Sequence, residues 1–263
     1  MATPLRLLEP IIIVGGGPFG TSTAYHLVKK GYKSVTVLDR WAPPSAESAG
    51  NDYNKIVRSE YTGDIHTILA EEAKTAWKQN PLFDGIYNES GWILAATHSA
   101  MPYLDACRKT QQAVGLRPPQ ELSPADVHKR WPILNGPLRE WKPYYNANTA
   151  WVNAREGLRR MATEAIALGA KYISGDAGHA ILLLFDESSR CVGVKCNDGT
   201  THFGSHIVLA AGAAAGTLLD LEGQIVAKAH SVCHIQLSLE EADKYKNLPI
   251  ICHMEEGELA GRL

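Results

Sequence analysis

The stretch Ile11-Ile12-Ile13-Val14-Gly15-Gly16-Gly17-Pro18-Phe19-Gly20 decides the fold. Four apolar residues make a buried β-strand, and the strand runs directly into a G-x-G-x-x-G turn. An amphipathic helix is expected from about Thr21 to Lys30, followed by a second apolar strand, Ser34-Val35-Thr36-Val37-Leu38, that ends in Asp39. Each part has a physical task in holding a dinucleotide. Gly15 permits the sharp turn, Gly17 lets the backbone approach a pyrophosphate, and Gly20 lets helix and strand pack closely. The helix N-terminus offers unpaired N–H groups to an anion. Asp39 stands where a carboxylate can accept hydrogen bonds from an adenosine ribose. Glycine-rich turns are common, but strand, glycines, helix, strand and acid in this order specify dinucleotide binding.

The remaining composition bounds the function. With 263 residues the chain can bury a full core in one large or two modest domains. Lys plus Arg total 26 against 28 Asp plus Glu, a net charge of −2. That balance argues against nucleic acid or an anionic membrane as main partner. No apolar run approaches the ~18 residues of a transmembrane helix. Met1-Ala2-Thr3-Pro4-Leu5-Arg6 lacks a signal-peptide apolar region, so a cytoplasmic or peroxisomal location is expected. Cys107, Cys191, Cys196, Cys233 and Cys252 are odd in number, sparse and without a C-x-x-C, which fits a reducing compartment. Cys233-His234 and Cys252-His253 lie in strand-like stretches where neighbours point to opposite faces, so a metal site is not expected.

Along the chain, Ile65, Ile68, Leu69, Ala73, Ala76 and Trp77 recur at helical spacing between Asp64 and Gln79. Gly91 to Ala96 reads as a strand, Met101 to Val114 as a helix, and Ser123-Pro124 as the start of another. Trp131 to Tyr145 reads as irregular or strand-like, and Asn153 to Leu168 as a helix closed by Gly169. Strands are expected at 171–173, 180–185 and 191–196, with a hairpin turn at Asn197-Asp198-Gly199-Thr200. His206 to Gly212 reads as another buried strand ending in small residues. A region of mixed pattern therefore interrupts a nucleotide fold. The expected class is α/β, with a Rossmann-like domain over residues 1–60 and 146–225 and a mixed-sheet substrate domain over 61–145 and 226–263.

Several further stretches are not required by a generic nucleotide fold. They are Ser45-Ala46-Glu47-Ser48-Ala49-Gly50-Asn51-Asp52-Tyr53-Asn54-Lys55-Ile56, Leu69-Ala70-Glu71-Glu72-Ala73, Ser90-Gly91-Trp92, and Ala210-Ala211-Gly212. With the first turn, these resemble the D-amino-acid-oxidase-like flavoproteins. The resemblance is greatest to the group of fructosyl amino acid oxidases, monomeric sarcosine oxidases and fungal saccharopine oxidases. It implies FAD as cofactor, bound by Gly15, Gly17, Phe19, Gly20, Asp39, Ser48, Asn51, Lys55, Ala211 and Gly212. It also implies that Lys55 sits at the flavin, where a cation stabilises negative charge on the reduced ring. Arg58 would hold a substrate carboxylate in a bidentate pair. Fructosyl amino acid oxidases typically carry a small residue there, so Arg58 points to an N-substituted amino acid and away from a bulky Amadori adduct. The implied reaction is oxidation of a C–N bond in an amine or amino acid, with O2 as acceptor. The plain alternatives are turn residues for Ser48 and Asn51 and solvated surface charges for Lys55 and Arg58.

Members of that group continue well beyond a position like Leu263. The further portion supplies a lysine over flavin N5, a cysteine for covalent flavin and more substrate ligands. The sequence is accordingly expected to be truncated and of uncertain activity alone. The terminal Gly261-Arg262-Leu263 is a poor relative of a peroxisomal address. Two other readings stay open: a non-catalytic flavin-binding or interaction protein, and an NAD(P)-dependent dehydrogenase.

Overall fold

A computed structural model describes residues 7–138 and 141–254. Met1–Arg6 and the terminal Gly261-Arg262-Leu263 lie outside the described residues. The chain begins with β1 (Ile11–Val14), α1 (Pro18–Lys29) and β2 (Val35–Leu38), then enters β3 (Lys55–Val57) and α2 (Asp64–Gln79). Next come β4 (Tyr87–Asn88), β5 (Trp92–Ala96), α3 (Met101–Ala113), β6 (Gln120–Glu121), α4 (Pro124–Arg130), β7 (Lys142–Asn146) and β8 (Ala150–Val152). The chain continues through α5 (Ala154–Ala167), β9 (Lys171–Ile173), β10 (Ala180–Phe185), β11 (Cys191–Cys196), β12 (Thr201–Phe203) and β13 (His206–Leu209). Two short helices, α6 (Ala215–Leu218) and α7 (Leu239–Tyr245), precede β14 (Ile250–Met254).

The chain forms two units, one of residues 1–54 and 153–232, the other of 55–152 and 233–263. The boundaries expected at 60, 145 and 225 thus fall at 54, 152 and 232, which moves Lys55 and Arg58 into the second unit. In the first unit β13, β1, β2 and β9 form an all-parallel sheet in that order. Ile11 lies opposite Val35 on one side and His206 on the other. Parallel strands are covered on both faces, which is why β1 is apolar throughout and β2 is apolar but for Thr36. Ile12, Val14 and Leu38 pack against Leu183 and Val194 of the antiparallel sheet β10-β11-β12. By the two-residue alternation of a strand, Ile11 and Ile13 face the other way, and α1 and α5 pack on each other in the same unit.

In the second unit β14-β5-β7-β6 form a mixed sheet, parallel between β14 and β5 and antiparallel elsewhere. Trp92, Leu94 and Ala96 project from one face of β5 and pack with Leu104 of α3, Tyr144 of β7 and Met254 of β14. A second sheet, β3-β8-β4, is antiparallel.

Four expectations need correction. Helix α1 starts at Pro18, three residues before the expected Thr21, because proline at N1 is preset for helical φ. The stripe on α2 faces outward: Ile65, Ile68 and Leu69 are exposed while Thr67 and Lys74 are buried. Lys74 is accommodated because its ammonium donates to Glu71 at 2.8 Å, while Thr67 Oγ1 donates to the Gly63 carbonyl. Cys233-His234 is exposed and outside any strand, whereas Cys252-His253 lies within β14. Finally, β13 is half-buried, being one of the two edge strands of its sheet.

Candidate functional site

The turn between β1 and α1 is built by forbidding side chains. Gly15 has φ +106°, and a Cβ there would lie 2.3 Å from the carbonyl oxygen of Ala210. A Cβ on Gly20 would lie 1.8 Å from the Gly15 carbonyl oxygen. The end of β1 and the end of β13 therefore approach backbone to backbone, with Ala210 N donating to Val14 O at 2.8 Å. Ala211 and Gly212 follow at once, Gly212 with φ +55°. Gly17 is the N-cap of α1 and has no side-chain capping bond. Its α1 N-terminus thus presents uncapped N–H groups, the geometry that attracts an anion. Phe19 is exposed beside it.

Asp39 ends β2 and organises this turn. Its Oδ2 accepts from the Gly16 N–H at 2.6 Å, and its Oδ1 accepts from Trp41 N at 2.7 Å and Ser45 Oγ at 2.9 Å. Thr21 Oγ1 donates to the Gly16 carbonyl at 2.9 Å from the first turn of α1. Ser48 comes alongside the turn, since a Cβ on Gly17 would lie 3.0 Å from its Oγ. Asn51 donates from Nδ2 to Ala46 O at 2.9 Å, while its buried Oδ1 has no partner among the described residues. An orphaned buried acceptor is costly unless a ligand donor satisfies it. The first unit therefore brings Gly15, Gly17, Gly20, Asp39, Ser48 and Ala211 together, and leaves Asn51 one hydrogen bond short.

The second unit holds the other two expected residues. Lys55 opens β3 opposite Val152 of β8 and is exposed. Arg58 follows β3 and is half-buried, with its guanidinium 4.4 Å from the ring centre of Tyr61 and 5.9 Å from that of Trp92. Its Nη1 donates to the Glu60 carbonyl, to which Tyr103 Oη also donates at 3.4 Å. Burial alone would lower the Arg58 pKa, but Tyr103, Tyr61 and Glu60 outweigh it and raise the value. Among the described residues Arg58 forms no ion pair. A half-buried guanidinium carries five N–H donors, and this one is left with capacity for a carboxylate.

Sequence reasoning missed the groups that support these residues. Ser45 opens the quoted stretch from Ser45 to Ile56. Glu60 stands two residues from Arg58, and Trp92 lies in the quoted Ser90-Gly91-Trp92. Nothing in the sequence singles out Asn146.

Comparison with known proteins decides the family. Residues 10–258 match the family described as FAD dependent oxidoreductase. The chain belongs to that family. It is 34% identical over 258 residues to L-saccharopine oxidase of Schizosaccharomyces pombe, covering 92% of this chain and 59% of that protein. Among solved structures it is similar to fructosamine oxidase (Amadoriase II) of Aspergillus fumigatus, with a TM-score of 0.84 and 34% identity over 95% of this chain and 59% of that one. It is likewise similar to a modified fructosyl peptide oxidase of Aspergillus nidulans, with a TM-score of 0.86 and 34% identity over 95% and 60% of the two chains. The chain thus spans about 59% of the length of the relatives it matches. FAD is the cofactor of this family, and the uncapped α1 N-terminus, the side-chain-free turn and the orphaned Asn51 acceptor fit it. Among the described residues no helix is long and apolar enough to cross a membrane.

Proposed function

We propose that the protein oxidises the C–N bond of a secondary amine carrying a carboxylate, an N-substituted amino acid, with dioxygen as acceptor. The observation that carries this reading is Arg58: a half-buried guanidinium flanked by Tyr61, Trp92 and Tyr103, with no ion-pair partner among the described residues. A half-buried guanidinium that makes no close ion pair keeps N–H donors for an anion, and a substrate carboxylate would take them in charge-assisted hydrogen bonds. FAD, when bound, supplies a two-electron acceptor that dioxygen regenerates with release of hydrogen peroxide.

The residues divide the work. The N–H groups at the start of α1 would take the pyrophosphate, with Gly15, Gly17 and Gly20 keeping side chains out of its way and Phe19 at the rim. Asp39 would take the adenosine ribose with whatever acceptor capacity remains after Gly16, Trp41 and Ser45. Ser48, Asn51, Ala211 and Gly212 would line the rest of the dinucleotide. Chain continuity supports a role for Lys55 at the flavin ring, because the Ser48–Asn54 loop runs directly into it. Arg58 would orient the substrate so that its oxidisable C–N bond is presented, and the oxidised substrate, an imine, would be hydrolysed by water.

The names of the relatives span saccharopine, fructosamine and fructosyl peptide substrates, and the Arg58 anchor favours a small N-substituted amino acid over a fructosyl adduct. The test is to purify the chain joined to a family-like C-terminal portion, measure the visible flavin absorption, and follow peroxide with N-methylglycine, saccharopine, a fructosyl amino acid and N-methylglycinamide. Flavin retention with peroxide from N-methylglycine or saccharopine, less from the fructosyl amino acid and none from the amide is the expected result. A protein that takes up no FAD, or that oxidises the amide as readily as the acid, would overturn the reading.

A further inference from the structure

Glu60 is 1% exposed, and three N–H donors converge on its carboxylate. Trp92 Nε1 donates to Oε1 at 3.3 Å, Asn146 Nδ2 donates to the same oxygen, and Ser59 N donates to Oε2 at 3.1 Å. Trp92 of β5 and Asn146 of β7 are directly opposite each other across an antiparallel ladder, so their side chains leave the same face of the sheet. Together they grip one oxygen of a residue that lies outside that sheet. Among the described residues Glu60 makes no close ion pair; these hydrogen bonds and the charge of nearby Arg58 support its burial. A buried carboxylate without a directly paired cation is expensive, and an apolar residue would fill the space more cheaply. The position of Glu60 in the chain gives it another use. Its own carbonyl accepts the Arg58 guanidinium, and the same carbonyl accepts Tyr103 Oη.

We infer that Glu60 is a positioning residue: its carboxylate, gripped by the Trp92–Asn146 pair, fixes the turn from Arg58 to Tyr61 and so aims the guanidinium at the substrate carboxylate. The inference rests on the proposed role of Arg58. A flexible arginine on a loose turn would lose freedom when it bound its ligand, whereas one held in advance by a sheet-anchored neighbour does not. The anionic charge of Glu60 has an opposing effect. It weakens the pull of Arg58 on an anion, so loss of positioning and loss of charge move carboxylate binding in opposite directions.

That opposition makes the test sharp. Methoxyacetate, an analogue of N-methylglycine that has no amine to oxidise, and methoxyacetamide would be titrated into the FAD-loaded protein by calorimetry and by the shift of flavin absorption. In Glu60→Gln the amide must point a donor at one of the three donors that now converge there. We expect its affinity for methoxyacetate to fall about tenfold, the scale of one hydrogen bond to a charged group. Affinity for methoxyacetamide and retention of FAD should stay unchanged. Glu60→Asp keeps the charge but shortens the reach, and should weaken methoxyacetate binding by a similar factor, which preserves the test if the glutamine variant fails to fold. Methoxyacetate binding that is unchanged or tighter in the variants, with the parent still preferring the acid to the amide, would overturn the role of Glu60 alone. A parent that does not prefer the acid would overturn the role of Arg58, and that of Glu60 with it.

Discussion

The Gly16 N–H donates to Asp39 Oδ2 at 2.6 Å, joining two residues 23 positions apart in the chain. The acid at the end of β2 thus braces the glycine-rich turn before any nucleotide arrives. Its other oxygen ties down Trp41 and Ser45, so one carboxylate sets both loops at the end of the sheet.

Asp39→Ala should therefore weaken the apoprotein as well as its cofactor binding. Losing three hydrogen bonds to a partly exposed carboxylate should lower unfolding stability by on the order of 2 kcal/mol, read by urea denaturation without FAD. If Asp39 also meets the ribose, ADP should bind the parent more tightly than 2′-phospho-ADP, because the carboxylate repels the extra phosphate. An apoprotein unaffected by the substitution would limit Asp39 to the ligand.

Gly17 and Gly20 should respond differently to a side chain. The Cβ of Gly20→Ala meets the Gly15 carbonyl oxygen at 1.8 Å, so the turn itself must move, at a cost of at least about 3 kcal/mol. A Cβ at Gly17 meets only the movable Ser48 hydroxyl, and its φ of −75° suits any residue. Gly17→Val should keep the fold and lose FAD, since its branched side chain would fill the pyrophosphate cradle. Circular dichroism and flavin absorption of the two variants separate these outcomes. Full flavin occupancy in Gly17→Val would refute the placement of the phosphates.

Arg58→Ala should cost about 2–4 kcal/mol in binding a carboxylate ligand, the range for losing a charged hydrogen-bonding partner. Arg58→Lys should recover little of it, because an ammonium lacks the planar fork that pairs with a carboxylate and stacks on Tyr61. Methoxyacetate titration measures both. Wild-type affinity in Arg58→Lys would show that charge alone suffices.

Glu156 gives the chain an acid-sensitive element. Hydrogen bonds from Arg159 and Arg160, at 2.7 Å each, bring its pKa down to about 2 from the usual 4.5. A lowered folded-state pKa means that the contribution is full above about pH 4.5 and is lost as pH falls through about 2. Solvent screening on this helix surface limits it to about 0.5–1 kcal/mol. Thermal melts of parent and Glu156→Gln should differ modestly at pH 7 and converge towards pH 2. A gap that does not close on acidification would contradict this assignment.

The first β-α-β and its acid were legible because strand, glycines and helix each have a strict local requirement, and the structure meets all of them between Ile11 and Asp39. Helices α3 and α5 were legible within a residue or two for the same reason: periodicity and caps are local. The orientation of α2 was not. Ile65, Ile68 and Leu69 have helical spacing, but the buried side of α2 is polar, built from Thr67, Lys74 and the Glu71–Lys74 pair. Periodicity reveals a stripe without revealing which side is covered. Short strands such as β3 and β8 were also missed, because three residues carry no period and exist only through their pairing. The anchoring of Arg58 escaped notice on similar grounds: Glu60, Trp92 and Asn146 are far apart in sequence and meet only through the β5–β7 ladder.

The two crossings of the chain near 54 and 152 have a property that bears on the history of the molecule. In the second unit Lys55 lies opposite Val152, and in the first unit Arg155 N donates to Asp52 O at 2.8 Å. In the second unit β3 leaves beside the returning β8, and in the first unit the loop at Asp52 leaves beside the first turn of α5. A folded segment whose ends are neighbours adds little closure entropy to its host, and even a flexible one costs only slowly more as it lengthens. The stretch from Lys55 to Val152 can therefore change in size and sequence through evolution, within the limit set by β14, which returns to pair with β5, while the β1-α1-β2 turn keeps its register.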